Sequence, residues 1–88
     1  MSENNQEIVV YGTSWCGLSR RTKQFLTQHE IAFKWIDIDQ DTAAREYVEK
    51  VNHGYRSVPT IVFPNGDLLT EPSESELAEK LGIPNKVF

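Results

Sequence analysis

The chain has 88 residues, 39% of them hydrophobic and 25% charged, with a formal net charge of −4. That length supports one domain around one core, spanning 1–88 with residues 1–6 as a polar leader, and leaves no room for a second. The acidic balance gives no electrostatic footprint for nucleic acid or anionic lipid. A single cysteine excludes internal disulfides, so packing alone must hold the core, as suits a reducing, cytoplasmic setting.

Met1 to Glu7 lacks the basic and apolar regions of a secretory signal, and the longest apolar runs are far too short to cross a bilayer. Ile8 to Tyr11 is a short β-rich run bounded by Gly12, and Gly12-Thr13-Ser14-Trp15 follows as a loop. Gly17 to about Gln28 reads as a helix, with Leu18, Thr22, Phe25, Leu26 and His29 near one face. Arg20, Arg21 and Lys23 read most simply as its solvated side. Phe33 to Ile38 is a second strand, and Asp39-Gln40-Asp41 supplies turn and N-cap chemistry for a helix over Thr42 to Asn52. Ala44, Tyr47, Val48 and Val51 are its inward face, and Gly54 suits a left-handed position after its end.

Thr60 to Phe63 and Leu68 to Thr70 are two more strands, joined by the hairpin-turn residues Pro64-Asn65-Gly66-Asp67. Ser73-Glu74-Ser75-Glu76 has capping-box form and opens a last helix, with Leu77 and Leu81 stacked and Gly82 and Pro84 at its end. The element order is βαβ, a helix, a β-hairpin, a helix. A right-handed βαβ crossover and an antiparallel hairpin build an α/β domain, a four-stranded mixed sheet flanked by three helices. The loop leaving the first strand then opens at the carboxyl end of the sheet, where ligands bind in such folds.

Cys16 lies in that loop, directly before a helix. A helix start aims unpaired N–H groups and the positive end of the macrodipole at the sulfur, which favours the nucleophilic thiolate. Ser19 occupies the second position of a Cys-x-x-Cys spacing. Its hydroxyl is near enough to donate to a thiolate or to bond locally. It cannot attack a mixed disulfide, so an outside thiol must resolve any disulfide that Cys16 forms. In Val58-Pro59-Thr60 the proline opens a strand, where its missing N–H is tolerated. His29 and His53 stand at no metal-ligand spacing, and no metal site is expected.

Tyr11-Gly12-Thr13-Ser14-Trp15-Cys16-Gly17, then Val58-Pro59-Thr60, then Asn65-Gly66-Asp67 and Thr70-Glu71-Pro72-Ser73 together resemble the glutaredoxin family. The nearest branch is that of the small bacterial glutaredoxin-like proteins that include mycoredoxins, and the resemblance covers nearly the whole chain. It implies a thioredoxin-like fold, a nucleophilic Cys16 and a cis Pro59. It also implies a monomeric thiol–disulfide oxidoreductase whose substrates are mixed disulfides between proteins and a low-molecular-weight thiol. Glutathione or mycothiol would be the co-substrate, with no permanently bound cofactor. By the same match the Val58 backbone would pair with the small thiol, and Thr13 and Trp15 would border its groove.

This chain departs from the family pattern at three places. Ser19 stands where a second cysteine is usual, so the expected mechanism is monothiol. No lysine precedes the cysteine, and Leu69-Thr70-Glu71-Pro72-Ser73 replaces the Gly-Gly-Cys/Ser-Asp segment of glutathione-using members. Arg56 could still reach a carboxylate of the thiol, and the helix start at Ser73 could offer N–H groups to one, though plain capping is the simpler reading. Two alternatives remain. Cys16-Gly17-Leu18-Ser19 is similar to the Cys-Gly-Phe-Ser of monothiol glutaredoxins that bridge a [2Fe–2S] cluster. Ser19 would otherwise mark an engineered Cys-to-Ser form of a dithiol disulfide reductase.

Overall fold

Alternation along the first strand sets the architecture. In β1 (Ile8–Gly12) Ile8, Val10 and Gly12 are buried, while Val9 and Tyr11, on the opposite face, are half-buried. A computed structural model describes residues 7–82, so the polar leader and Pro84 lie outside the described residues. β1 pairs in parallel with β2 (Phe33–Asp37), Val10 opposite Trp35 and Gly12 opposite Asp37. On its other side it pairs antiparallel with β3 (Thr60–Val62), which makes a hairpin with β4 (Leu68–Thr70). The sheet order is β2-β1-β3-β4.

The period-two strands divide the apolar residues between two faces. On one face Ile8, Val10, Ile61 and Phe63 pack with Phe25 and Leu26 of α1 (Gly17–Gln28) and Leu77 and Ala78 of α3 (Glu74–Leu81). On the other, Ile38, Tyr11, Ile36 and Val58 pack with Ala44 and Val48 of α2 (Thr42–Val51). Each fully buried side chain such as Leu26, Ile61 or Leu77 contributes about 1.5–3 kcal/mol. Asp41 caps α2 by accepting from Ala44 N, and Ser73 with Glu76 forms the capping box of α3. No described helix is long and apolar enough to cross a membrane.

Small differences from the sequence expectations have local causes. β1 runs on to Gly12, because Gly12 stays in register with Asp37 and its carbonyl accepts from Ile38 N. β2 stops at Asp37, whose side chain and carbonyl accept from Asp39 N and Gln40 N to start the turn, while Ile38 remains buried. α2 ends at Val51, with Asn52 as C-cap and both His53 and Gly54 at positive φ. β3 ends at Val62, where Phe63 turns to bond Gly66 and Asp67. His29 is not inward: it is the exposed C-cap of α1, its ring 4.4 Å from that of Phe25.

Candidate active site

The end of β1 delivers the chain into a turn, and Cys16 becomes the N-cap of α1, with extended backbone angles of φ −86 and ψ 120. Its carbonyl accepts from Arg20 N, the first bond of the helix, which leaves the sulfur beside the Leu18 and Ser19 N–H groups. Cys16 is half-buried and free, and its S–H donates to the Val58 carbonyl at 3.7 Å. The Val58–Pro59 peptide is cis, and Pro59 is buried.

Opposing influences act on the sulfur. Partial burial, the largest single one, pushes the Cys16 thiol up, and the Glu71 carboxylate adds to it. The Ser19 hydroxyl and the Ser19 and Leu18 N–H groups together outweigh both and hold the pKa below the ordinary thiol value.

Ser19 has no exposed surface, and its Oγ has no hydrogen-bond partner of normal geometry among the described residues. With the S–H directed at Val58, the hydroxyl lacks an acceptor, and ionisation of the sulfur provides one. Gly12 makes this close approach feasible. A Cβ there would lie 2.7 Å from Trp35 Cη2 and 2.9 Å from Ser19 Oγ, so only glycine lets the first turn of α1 settle on β1.

Thr13 is also buried, its hydroxyl without a hydrogen-bond partner among the described residues, while its carbonyl accepts from Cys16 N at 3.4 Å. It therefore shapes the turn from beneath and shows no surface to border a groove. Trp15 is 69% exposed beside Cys16. Its Nε1–H donates to Asp39 Oδ2 at 2.7 Å and ties the cysteine turn to the β2–α2 turn.

Sequence reasoning missed the support of the Val58–Pro59 loop. Thr60, fully buried, donates to the Ser57 carbonyl at 2.7 Å. Asn52 Nδ2 donates to Thr60 Oγ1 at 3.0 Å and to the Val48 carbonyl, and Thr70 Oγ1 donates to Asn52 Oδ1. The end of α2 is thus pinned to β3 and β4 behind the loop. The only signal in the chain was an asparagine at a helix end, which capping already explains.

A groove of about 430 Å³ lies between Leu18, Arg21 and Thr22 on α1 and the segment from Glu71 to Leu77. Ser73 is on its far wall, but its N–H donates to Glu76 Oε1 at 2.8 Å and its Oγ accepts from Glu76 N at 3.1 Å. Arg56 does not line this groove and forms an ion pair with Glu49 of α2 at 2.6 Å. The structure therefore gathers Cys16, Ser19, Val58 and Pro59, sets Trp15 beside them and Ser73 on the groove, and pairs Arg56 with Glu49.

The family model described as Glutaredoxin matches residues 8–69. A protein of Mycobacterium tuberculosis provisionally named a glutaredoxin is 46% identical over 74 residues, covering 84% of this chain and 88% of its own. Mycoredoxin 1 of Corynebacterium glutamicum is 36% identical over 74 residues, covering 84% of this chain and 91% of its own. The crystal structure of the thioredoxin-like protein BC3987 superposes with a TM-score of 0.72 at 27% identity, over 83% of this chain and 97% of that one.

Proposed function

The chain belongs to the glutaredoxin family, on its mycoredoxin-like branch, and from that premise we propose that it reduces protein mixed disulfides by a monothiol cycle with Cys16 as nucleophile. The family and the thioredoxin-like fold make it a thiol–disulfide oxidoreductase. The finer reading rests on one observation: the sulfur is held at a helix start with its pKa lowered, and the residue one turn on, buried against Gly12, is a serine.

In the first step the Cys16 thiolate attacks the small-thiol sulfur of a protein mixed disulfide. A new S–S bond joins Cys16 to the small thiol, the old one breaks, and the client leaves as a thiolate that takes a proton from water. The Ser19 hydroxyl and the N–H groups of Leu18 and Ser19 stabilise the attacking charge. The Val58–Pro59 loop presents backbone for the docked thiol, and Trp15 flanks the approach. In the second step a thiolate of a second small-thiol molecule attacks the sulfur of the cap, forming the small-thiol disulfide, and Cys16 leaves as a thiolate. The net change converts one protein mixed disulfide and one small thiol into a protein thiol and a small-thiol disulfide. Glutathione or mycothiol supplies that thiol, and a client protein bearing it is the partner.

The test is mass spectrometry of the protein after mixing with a peptide capped by glutathione or by mycothiol. Transfer of the cap to Cys16, its removal by excess free thiol, and complete loss of turnover in Cys16→Ala are expected. Turnover that persists in Cys16→Ala would sink the assignment.

A further inference from the structure

The groove between the first turns of α1 and the segment from Glu71 to Leu77 carries an unbalanced charge. Its lining includes the carboxylates of Glu71, Glu74 and Glu76 against the single guanidinium of Arg21. The start of α3, where a ligand carboxylate would otherwise be favoured, is already answered by Glu76 through the capping box. Glu71 is the acidic residue whose charge reaches the sulfur. Its position is fixed by the backbone: Glu71 N donates to the Pro59 carbonyl at 2.8 Å, its φ is 50, and the buried Pro72 follows. A residue other than glycine held in the left-handed region by its neighbours has little freedom to swing its side chain's origin away.

We propose that Glu71 is a specificity-determining residue: on the groove lining and tied by its backbone to Pro59, next to the Val58 carbonyl that Cys16 meets, its carboxylate selects against small thiols that carry carboxylates and in favour of uncharged ones. This inference rests on the monothiol reading above and names the thiol class for it. A ligand carboxylate lodged in the groove meets Glu71 within a Debye length, with the low-dielectric walls of α1 and α3 on either side. Partly screened repulsion of one like charge at such range is worth about three- to tenfold in rate. An alcohol or amide at the same place meets no such penalty and can donate to the carboxylate.

The test compares one peptide capped either by glutathione or by glutathione diethyl ester, so that the departing peptide thiol is the same. Transfer of each cap to Cys16 is followed in single turnover by mass spectrometry. The wild-type protein should take the ester cap faster, and Glu71→Gln should reduce the ester-to-acid rate ratio about three- to tenfold. Any change in the reactivity of Cys16 itself cancels in that ratio. Raising the salt to about 0.5 M should shrink the wild-type ratio in the same direction. A ratio that neither Glu71→Gln nor salt alters overturns the role of Glu71 while leaving the monothiol reading standing. Transfer of neither cap overturns the monothiol reading and this inference with it.

Discussion

Replacing Ser19 with alanine separates what its hydroxyl does for the sulfur from what it does to the fold. A hydrogen bond to an ionised acceptor contributes about 1.5–3 kcal/mol, but Cys16 is only half-buried and water takes over part of that role, leaving about 1 kcal/mol. That is about fivefold in the thiolate-to-thiol ratio. The thiolate of a weaker acid is also the better nucleophile, with a Brønsted slope of about 0.4–0.5, which returns about twofold. In Ser19→Ala, reaction with a neutral aromatic disulfide should therefore be about 2.5-fold slower well below the pKa and about twofold faster on the alkaline plateau. The two pH profiles should cross.

Stability should move the other way. The Ser19 hydroxyl is buried without a partner while the sulfur is protonated, a condition that costs about 1–3 kcal/mol, so the alanine protein should resist urea by about 1 kcal/mol more. The folded-state pKa of Cys16 is depressed, so the stability it contributes is present above the unfolded thiol's pKa and lost as pH falls through the folded one. The advantage of alanine should accordingly be largest in acid and shrink toward alkaline pH. Superimposed rate profiles, or an alanine protein less stable in acid by 1 kcal/mol or so, would refute the role given to the hydroxyl.

Gly12→Ala should destabilise by about 1–3 kcal/mol in urea unfolding, because the added methyl meets both Trp35 and Ser19 Oγ below contact distance. As Ser19 is displaced, the pH profile of Cys16 reactivity should shift toward alkaline pH. Asn52→Ala removes the donor shared by Val48 and Thr60 and the acceptor of Thr70, and should cost about 2 kcal/mol. It should also slow transfer of a small-thiol cap to Cys16 more than it slows reaction with a small aromatic disulfide, since in the proposed cycle only the former docks against Val58. Equal slowing of both would assign Asn52 a purely structural part.

The elements were legible wherever their chemistry is local. Ser73 and Glu76 form the box that their spacing announces, Asp41 caps α2, and Asn65-Gly66 turns the hairpin. Cys16 was placed at its helix start because glycine, serine and an aromatic around it read as a loop after a short strand. Side-chain partners drawn from distant elements were not legible. Arg56 was free to be assigned to a ligand until α2 brought Glu49 against it. Thr13 resembled a groove residue by its place in the motif, yet the turn folds it inward. His29 fits the helical stripe, but the helix ends there and its ring stays exposed, resting against that of Phe25. Asn52 joins residues 8 and 18 positions away, and no periodicity records that kind of tie.

The opposing influences on Cys16 suit the two roles that the proposed one-cysteine cycle gives the same sulfur. It must attack in the first step and depart in the second. Lowering its pKa improves departure and the supply of thiolate, but it weakens each thiolate as a nucleophile. Ser19 and the helix N–H groups pull in the first direction, while burial and Glu71 pull in the other. The result is a sulfur that is lowered without being made inert. In the proposed monothiol cycle Ser19 offers no thiol, and the capped protein waits for a second small molecule. The charge at Glu71 then acts on both the thiol that caps Cys16 and the thiol that releases it. In the proposed cycle a carboxylate-bearing thiol is opposed in both half-reactions, so the discrimination at Glu71 is felt whichever of the two limits turnover.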